Sequence, residues 1–247
     1  MSAPSSNSPW RALRTVDVRA DLSVSEAAFL WLGAWVLGQF LSVAVMSLSG
    51  HTTLAAAGPA WLLAVALAGW APMVAAVTMG SRKSGTGSLV RDFGFSFRPA
   101  DLWGIPVGVG TQLLLLPLLY WPLKAVWPHT FSQARLEQRA HDLSAHASGV
   151  GKVLLFLVVV IGAPIVEELV YRGMLQTAVT RRLSDALGVV LVAAWFAIVH
   201  FQPVETPGLF VIGLVLGTCA WYSRRLGMGM LTHMAFNATG LVLVAMA

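Results

Sequence analysis

The chain has 247 residues, of which 57% are hydrophobic and 11% are charged, and its net charge is +5. Soluble domains contain about 25% charged and 45–50% apolar residues, so this composition excludes a water-soluble globular protein, a disordered chain and a coiled coil. Its long apolar stretches are continuous, whereas a transmembrane β-barrel alternates apolar and polar residues. The sequence therefore predicts an all-α, polytopic bundle of about 7–8 transmembrane helices, each needing about 20 apolar residues.

The apolar runs follow one another with short polar connectors between them. A hydrophilic stretch at 128–149 interrupts them, and its periodic Leu and Ala residues predict an amphipathic helix on the membrane surface. We divide the chain into a tail (1–25), N-terminal membrane helices with this surface helix (26–149) and a C-terminal helical core (150–247). The predicted spans are 27–48, 55–79, 102–126, 150–180, 186–201, 208–222 and 227 to the C-terminus.

The lysines and arginines lie between the spans, where they indicate topology rather than binding to nucleic acid. From their distribution we expect an integral, multi-pass protein of a bacterial-type cytoplasmic membrane, with its N-terminus inside. The inner side would hold Arg11, Arg14, Arg19, Arg82, Lys83, Arg91, Arg98, Arg181, Arg182, Arg224 and Arg225, and the outer side Lys124, Arg135, Arg139 and Lys152.

Ionisable residues inside a membrane are costly and mark functional sites. Glu168 and Arg172 are four residues apart and can pair on one helical face, whereas Glu167 points about 100° away from Glu168. One carboxylate can thus be neutralised while the other faces a cavity as a base. A buried ion pair that only fixes helix packing is the alternative interpretation.

Two further pairs are also four residues apart. They are Phe196 with His200 and His233 with Asn237. A hydrogen-bonded histidine at a helix end and an asparagine that joins helices are the alternative interpretations of these pairs.

Depth links these groups. Glu167 lies about four helical turns before Arg182, and His200 lies about four turns after Asp185. At 1.5 Å per residue both are expected roughly 22 Å from the same membrane surface. His233 and Asn237, about two and three turns beyond Arg225, are expected roughly 12–18 Å deep. One site inside the bundle can therefore contain all four residues.

These residue types suit the hydrolysis of a carbonyl compound. A carboxylate in an apolar site becomes a better base near neutral pH, so Glu167 could deprotonate a water held by His200. His233 and Asn237 could donate hydrogen bonds to the oxyanion. The single cysteine, Cys219, has no adjacent histidine, which counts against a covalent mechanism.

The motifs Glu167-Glu168-x-x-x-Arg172, Phe196-x-x-x-His200 and His233-x-x-x-Asn237 resemble those of the CPBP family, over roughly residues 150–240. That family contains type II CAAX prenyl endopeptidases and bacterial Abi proteins. The resemblance implies an intramembrane endopeptidase with a membrane-associated peptide substrate, CAAX-like or a leader peptide. It also implies Glu167 as the base, His200 as its partner and His233 with Asn237 as the oxyanion site. Glu168, Arg172 and Phe196 would support their geometry.

Several alternatives stay open at this level. The main interpretation needs no cofactor, but Glu167, His200 and His233 could bind Zn²⁺ as three ligands. A non-catalytic scaffold or immunity protein on the same fold and a proton-coupled transporter are alternative functions. Membrane lipid and a peptide are the expected partners, and nucleic acid is not. Loop histidines are the preferred interpretation of His129, His141 and His146, with a metal site as the alternative.

Overall fold

The computed structural model describes residues 20–145 and 149–246. Within them the chain forms helices and no strand, which confirms the all-α class. Six helices among the described residues are long and apolar enough to cross a membrane. The principal helices are α1 (Val24–Leu48), α2 (Pro59–Ser84), α3 (Pro99–Val126), α4 (Gln133–Ala145), α5 (Val150–Arg182), α6 (Asp185–Ile198), α7 (Thr206–Ser223) and α8 (Gly227–Met246), with short helices at Leu54–Ala57 and Leu89–Phe93.

Helix α6 is shorter than the predicted span. Its 14 residues extend about 21 Å at 1.5 Å per residue, whereas the hydrocarbon core of a bilayer is about 30 Å thick. The helix ends at Ile198, and His200 lies in the turn that follows. The chain therefore turns back into α7 close to the level predicted for the site.

The helices meet at one end of the bundle, which we call the basic end. There α1, α3, α6 and α8 begin and α2, α5 and α7 end, so successive membrane helices alternate in direction. Arg11, Arg14 and Arg19 of the predicted inner set lie outside the described residues. The joining contacts are Asp21 N–H to the Ser84 carbonyl (2.7 Å), Arg182 to Asp21 (3.7 Å), Arg224 to Asp185 (3.6 Å) and Arg225 to Asp101 (2.7 Å).

Local sequence explains where several helices start. Ser23 caps α1, and Glu26 three residues later completes a capping box with it, so each satisfies a free backbone N–H of the first turn. The Ser184 hydroxyl accepts a hydrogen bond from Leu187 N–H at the start of α6, which is the usual role of an N-cap serine.

Asp92 holds the connector between α2 and α3 in place. Its buried carboxylate accepts hydrogen bonds from the Ser81 hydroxyl (2.6 Å), the Thr86 N–H (2.9 Å) and the Ser88 N–H (3.2 Å). Burial by itself raises the pKa of Asp92, but these donors outweigh it and the pKa lies below its usual value. The polar loop is thereby fixed to the end of α2.

Glycines let α3 and α8 pack closely. A Cβ added at Gly104 would lie 2.5 Å from the Met228 carbonyl oxygen, and one at Gly108 would lie 2.9 Å from the Ala235 Cβ. Such distances leave no room for a side chain. The two glycines therefore make a close helix contact within the chain, and this contact fixes the helix that carries His233.

Helix α5 lies at the centre of the bundle. Two of its segments, Leu157–Gly162 and Glu168–Gln176, are π-helical, a form that occurs often at functional sites. The side chains that fill the core around them include Met174, Phe196, Ile212, Leu216 and Met230, all at most 1% exposed.

Candidate active site

The two adjacent glutamates of α5 have different surroundings. Glu168 is fully buried, and Arg172 Nη1 donates to its Oε1 at 3.0 Å. Arg172 Nη2 donates to the Gly213 carbonyl at 3.2 Å, so the guanidinium also joins α5 to α7. The Glu167 side chain is 25% exposed and lines a cavity. The predicted pairing of Glu168 with Arg172 is thus present, and Glu167 is the carboxylate that remains accessible.

His233 on α8 lies between both carboxylates. Its Nδ1 is 3.1 Å from Glu168 Oε1, and its Nε2 is 3.7 Å from Glu167 Oε2. The Nδ1–H donates to Glu168, which leaves Nε2 directed toward Glu167. The separation of Nε2 from Glu167 exceeds a direct hydrogen bond, and a water molecule could link the two groups.

The Phe196 ring packs between the other parts of the site. It is 1% exposed, its centroid lies 4.6 Å from the His200 ring and 6.1 Å from the His233 ring, and Arg172 Cζ lies 4.6 Å from it. A guanidinium on an aromatic face is attracted by the ring quadrupole. Phe196 therefore fixes the relative positions of the arginine and both histidines.

His200 is oriented by the backbone of α6. Its Nδ1 lies 2.6 Å from the Phe196 carbonyl oxygen. A carbonyl only accepts, so Nδ1 carries a proton and Nε2 of a neutral ring is an acceptor. Among the described residues, no hydrogen bond, ion pair or ring contact joins His200 directly to Glu167, Glu168 or His233.

Asn237 lies one turn after His233. Its side-chain nitrogen donates to the Val159 carbonyl at 2.8 Å, in the first π-helical segment of α5. One N–H of the amide is used in this bond, and the second N–H is available to another acceptor. The side chain thus joins α8 to α5, as the alternative interpretation of this asparagine expected.

The cavity beside Glu167 has a volume of about 280 Å³. It lies between α1, α2 and α5, and its largely apolar walls carry polar groups at Gln39, Ser42 and Glu167 and on the Trp70 and Tyr171 rings. Gln39 and Ser42 of α1 were not among the predicted site residues, since the sequence does not show which helices pack against them. The remaining lining residues are Leu62, Val65, Ala66, Gly69, Trp70, Met73, Val166, Val170 and Tyr171.

The structure thus brings Glu167, Glu168, Arg172 and His233 into direct proximity. Phe196 adds His200 to this group. Within the described part of the chain, no group of three or more histidine, cysteine, aspartate or glutamate side chains is arranged to hold a metal ion. The Glu167, His200 and His233 zinc set stays a prediction. Of the loop histidines, His141 pairs with Glu137 at 3.7 Å, and His146 lies outside the described residues.

Comparison with known proteins identifies this part of the chain. Residues 149–239 match the family model described as Type II CAAX prenyl endopeptidase Rce1-like. A comparison with curated proteins and one with solved structures each gave no match. The CPBP-type domain predicted from the three motifs is confirmed over these residues. With the membrane-length helices, the match supports an integral multi-pass membrane protease.

Proposed function

We propose that the chain, whose residues 149–239 form an Rce1-like type II CAAX prenyl endopeptidase domain, hydrolyses a peptide bond of a membrane-associated substrate by a glutamate-activated water. The observation that supports the proposal is the difference between the surroundings of the two glutamates. Glu168 is buried against Arg172, whereas Glu167 lines a cavity and its Oε2 lies 3.7 Å from His233 Nε2. A base must reach its substrate, and of the two carboxylates Glu167 is the accessible one.

In the first step Glu167 takes a proton from water while the water oxygen bonds to the carbonyl carbon of the substrate. In the second step the C–N bond breaks, and the protonated Glu167 passes its proton to the leaving nitrogen. Proton balance is thereby kept, and the carboxylate is regenerated. His200 Nε2, an acceptor because Nδ1 is bound to the Phe196 carbonyl, would accept a hydrogen bond from the water and hold it.

The oxyanion needs donors, and removal of one such donor typically slows an enzyme by about 10²–10³-fold. The Nδ1–H of His233 donates to Glu168, and Nε2 donates to the oxyanion when it also carries a proton. The second N–H of Asn237 is the other donor. Both donors would come from one face of α8, since residues four apart on a helix are neighbours.

The substrate we propose is a peptide at or within the bilayer, in a CAAX-like sequence or a leader peptide. The family description names CAAX prenyl endopeptidases, so a farnesylated fluorogenic peptide ending in C-a-a-X is the first probe. Zinc at Glu167, His200 and His233 is the alternative mechanism. It predicts loss of activity on dialysis against a chelator, followed by recovery with Zn²⁺.

Glu167→Gln tests the proposal in protein reconstituted into lipid nanodiscs. It removes the base but keeps the side-chain size, so cleavage of the farnesylated peptide should fall by at least about 10²-fold, the lower end for general acid–base catalysis. Glu137→Gln on α4 is the matched control and should retain activity. The Glu137 side chain is also 25% exposed and also lies 3.7 Å from a histidine, but outside the site.

Unchanged turnover in the Glu167→Gln variant would exclude the proposed mechanism. A scaffold or immunity protein makes a different prediction, because its cellular phenotype would survive Glu167→Gln. A proton-coupled transporter would instead carry protons into liposomes together with its solute, and the liposome interior would become acidic.

A further inference from the structure

Gln39 stands out among the polar residues of the membrane helices. It lies in the second half of α1, its side chain is exposed, and no described residue forms a hydrogen bond with it. An amide without a partner in an apolar environment costs free energy. The Gln39 amide is therefore open to a polar ligand inside the cavity that it lines.

Gln39 lines the same cavity as Glu167. Both residues lie about four turns from the basic end of their helix, counted from Val24 in α1 and from Arg182 in α5. Contacts of Asp21 and Ala20 with Arg182 and Arg181 join these helix ends. At 1.5 Å per residue, both side chains are therefore roughly 22 Å from that end, at one level in the membrane.

The position of Gln39 is fixed by the packing of its neighbours. A Cβ added at Gly38 would lie 2.9 Å from the Gly69 carbonyl oxygen of α2, and the Ser42 hydroxyl donates to the Val65 carbonyl at 3.1 Å. Close approach of α1 and α2 at these points prevents the two helices from sliding along each other. Gln39 is therefore presented to the cavity by a rigid pair of helices.

A peptide must be extended at the bond that is cut, and its backbone N–H and C=O groups then lose their helical partners. In hydrocarbon each unsatisfied group costs several kcal/mol. Cleavage therefore requires polar groups along the cavity as well as the base. A glutamine side chain has one acceptor oxygen and two N–H donors, so it can bind an N–H and a C=O of one extended strand.

We propose that Gln39 binds the substrate backbone next to the scissile bond and so positions the peptide for Glu167. This inference rests on the proposed peptidase function. It assigns a substrate-positioning role to a helix outside residues 149–239, the segment that matches the family.

Kinetics in nanodiscs with the farnesylated C-a-a-X peptide give the first test. Gln39→Leu should raise KM roughly tenfold, the value expected for one or two lost hydrogen bonds, with kcat within about threefold of the wild type because the base is intact. Thr78→Val is the matched control, since it also removes a polar group from the bundle. Its hydroxyl donates only to the Val74 carbonyl of its own helix, so KM should stay unchanged.

Binding of the same peptide separates this inference from the proposed function. Fluorescence anisotropy in the Glu167→Gln background measures Kd without turnover, so it reports on Gln39 even if the wild type cleaves nothing. Adding Gln39→Leu should weaken binding roughly tenfold, again from the lost hydrogen bonds. N-methylation of one backbone amide of the peptide should weaken binding to the Glu167→Gln protein but not to the double variant that also carries Gln39→Leu.

Equal Kd values for Gln39→Leu and Thr78→Val would overturn the inference. Additive effects on Kd would also overturn the inference. In that case N-methylation at every position of the peptide would weaken binding by the same factor with and without Gln39→Leu. If Glu167→Gln abolished cleavage and Gln39→Leu left cleavage unchanged, the proposed function would still hold. The proposed role of Gln39 would then be wrong.

Discussion

At the scale of single residues, the adjacent Glu167 and Glu168 differ in burial and in their hydrogen-bond partners. Glu168 Oε1 receives hydrogen bonds from Arg172 and His233. Glu167 instead has the 3.7 Å approach of His233 Nε2 and an open cavity. Burial of a charge is tolerated only with compensating partners. We therefore propose a stabilising role for Glu168 and a catalytic role for Glu167.

This division predicts that Glu168→Gln destabilises the fold while Glu167→Gln does not. Glu168→Gln leaves the fully buried Arg172 without its counter-charge, which typically costs about 3–5 kcal/mol. Thermal unfolding in detergent should show a much lower midpoint for Glu168→Gln and a midpoint near that of the wild type for Glu167→Gln. Equal midpoints for the two variants would contradict the assignment.

Residue spacing predicted those contacts that lie within one helix. The four-residue separation of Glu168 and Arg172 was enough to predict their pairing. The partner of Asn237 was not predictable, since Val159 lies 78 residues earlier in the chain and its carbonyl is available only in the folded bundle. Gln39 was missed for a related reason, because α2 and Glu167 of α5, which line the cavity with it, are brought to it only in the folded bundle.

At the scale of helices, hydropathy predicted the spans because burial in lipid requires continuous apolar runs. It did not predict the π-helical segments Leu157–Gly162 and Glu168–Gln176, which depend on packing against neighbouring helices. It also extended the fifth span to Phe201, whereas α6 ends at Ile198. Residues 199–201 are apolar or aromatic apart from His200, so composition could not distinguish helix from turn.

The contact between α3 and α8 predicts a strong difference between two nearby glycines. Gly108→Ala would place a Cβ against the backbone of α8, whereas nothing lies within 4 Å of a Cβ at Gly110. Gly110→Ala should be neutral or stabilising by up to about 1 kcal/mol from helix propensity. Gly108→Ala should lower the unfolding midpoint and reduce cleavage, because α8 carries His233.

Thermal unfolding and peptide cleavage of the two variants provide the measurement. Both changes add one methyl group to the same short segment of α3, so Gly110→Ala controls for propensity. Equal effects of the two substitutions would show that the close contact with α8 does not matter.

At the scale of the whole molecule, the catalytic segment and the N-terminal helices are interdependent. Residues 149–239 match the protease family, yet the cavity beside Glu167 is lined largely by α1 and α2. The basic end joins these parts through Arg182 and Asp21 and through Arg225 and Asp101. The N-terminal half therefore completes the cavity rather than serving only as a membrane anchor.

The arrangement at the basic end also predicts the orientation in the membrane. Lysine and arginine favour the cytoplasmic side, so the basic end should face the cytoplasm and the loop before α4 should face outward. In a Cys219→Ala background, which removes the buried thiol, Ala100→Cys and Thr130→Cys introduce single exposed thiols near the two ends. A membrane-impermeant maleimide should label Thr130→Cys in intact cells and Ala100→Cys only after permeabilisation. The reverse pattern would show that the N-terminus lies outside.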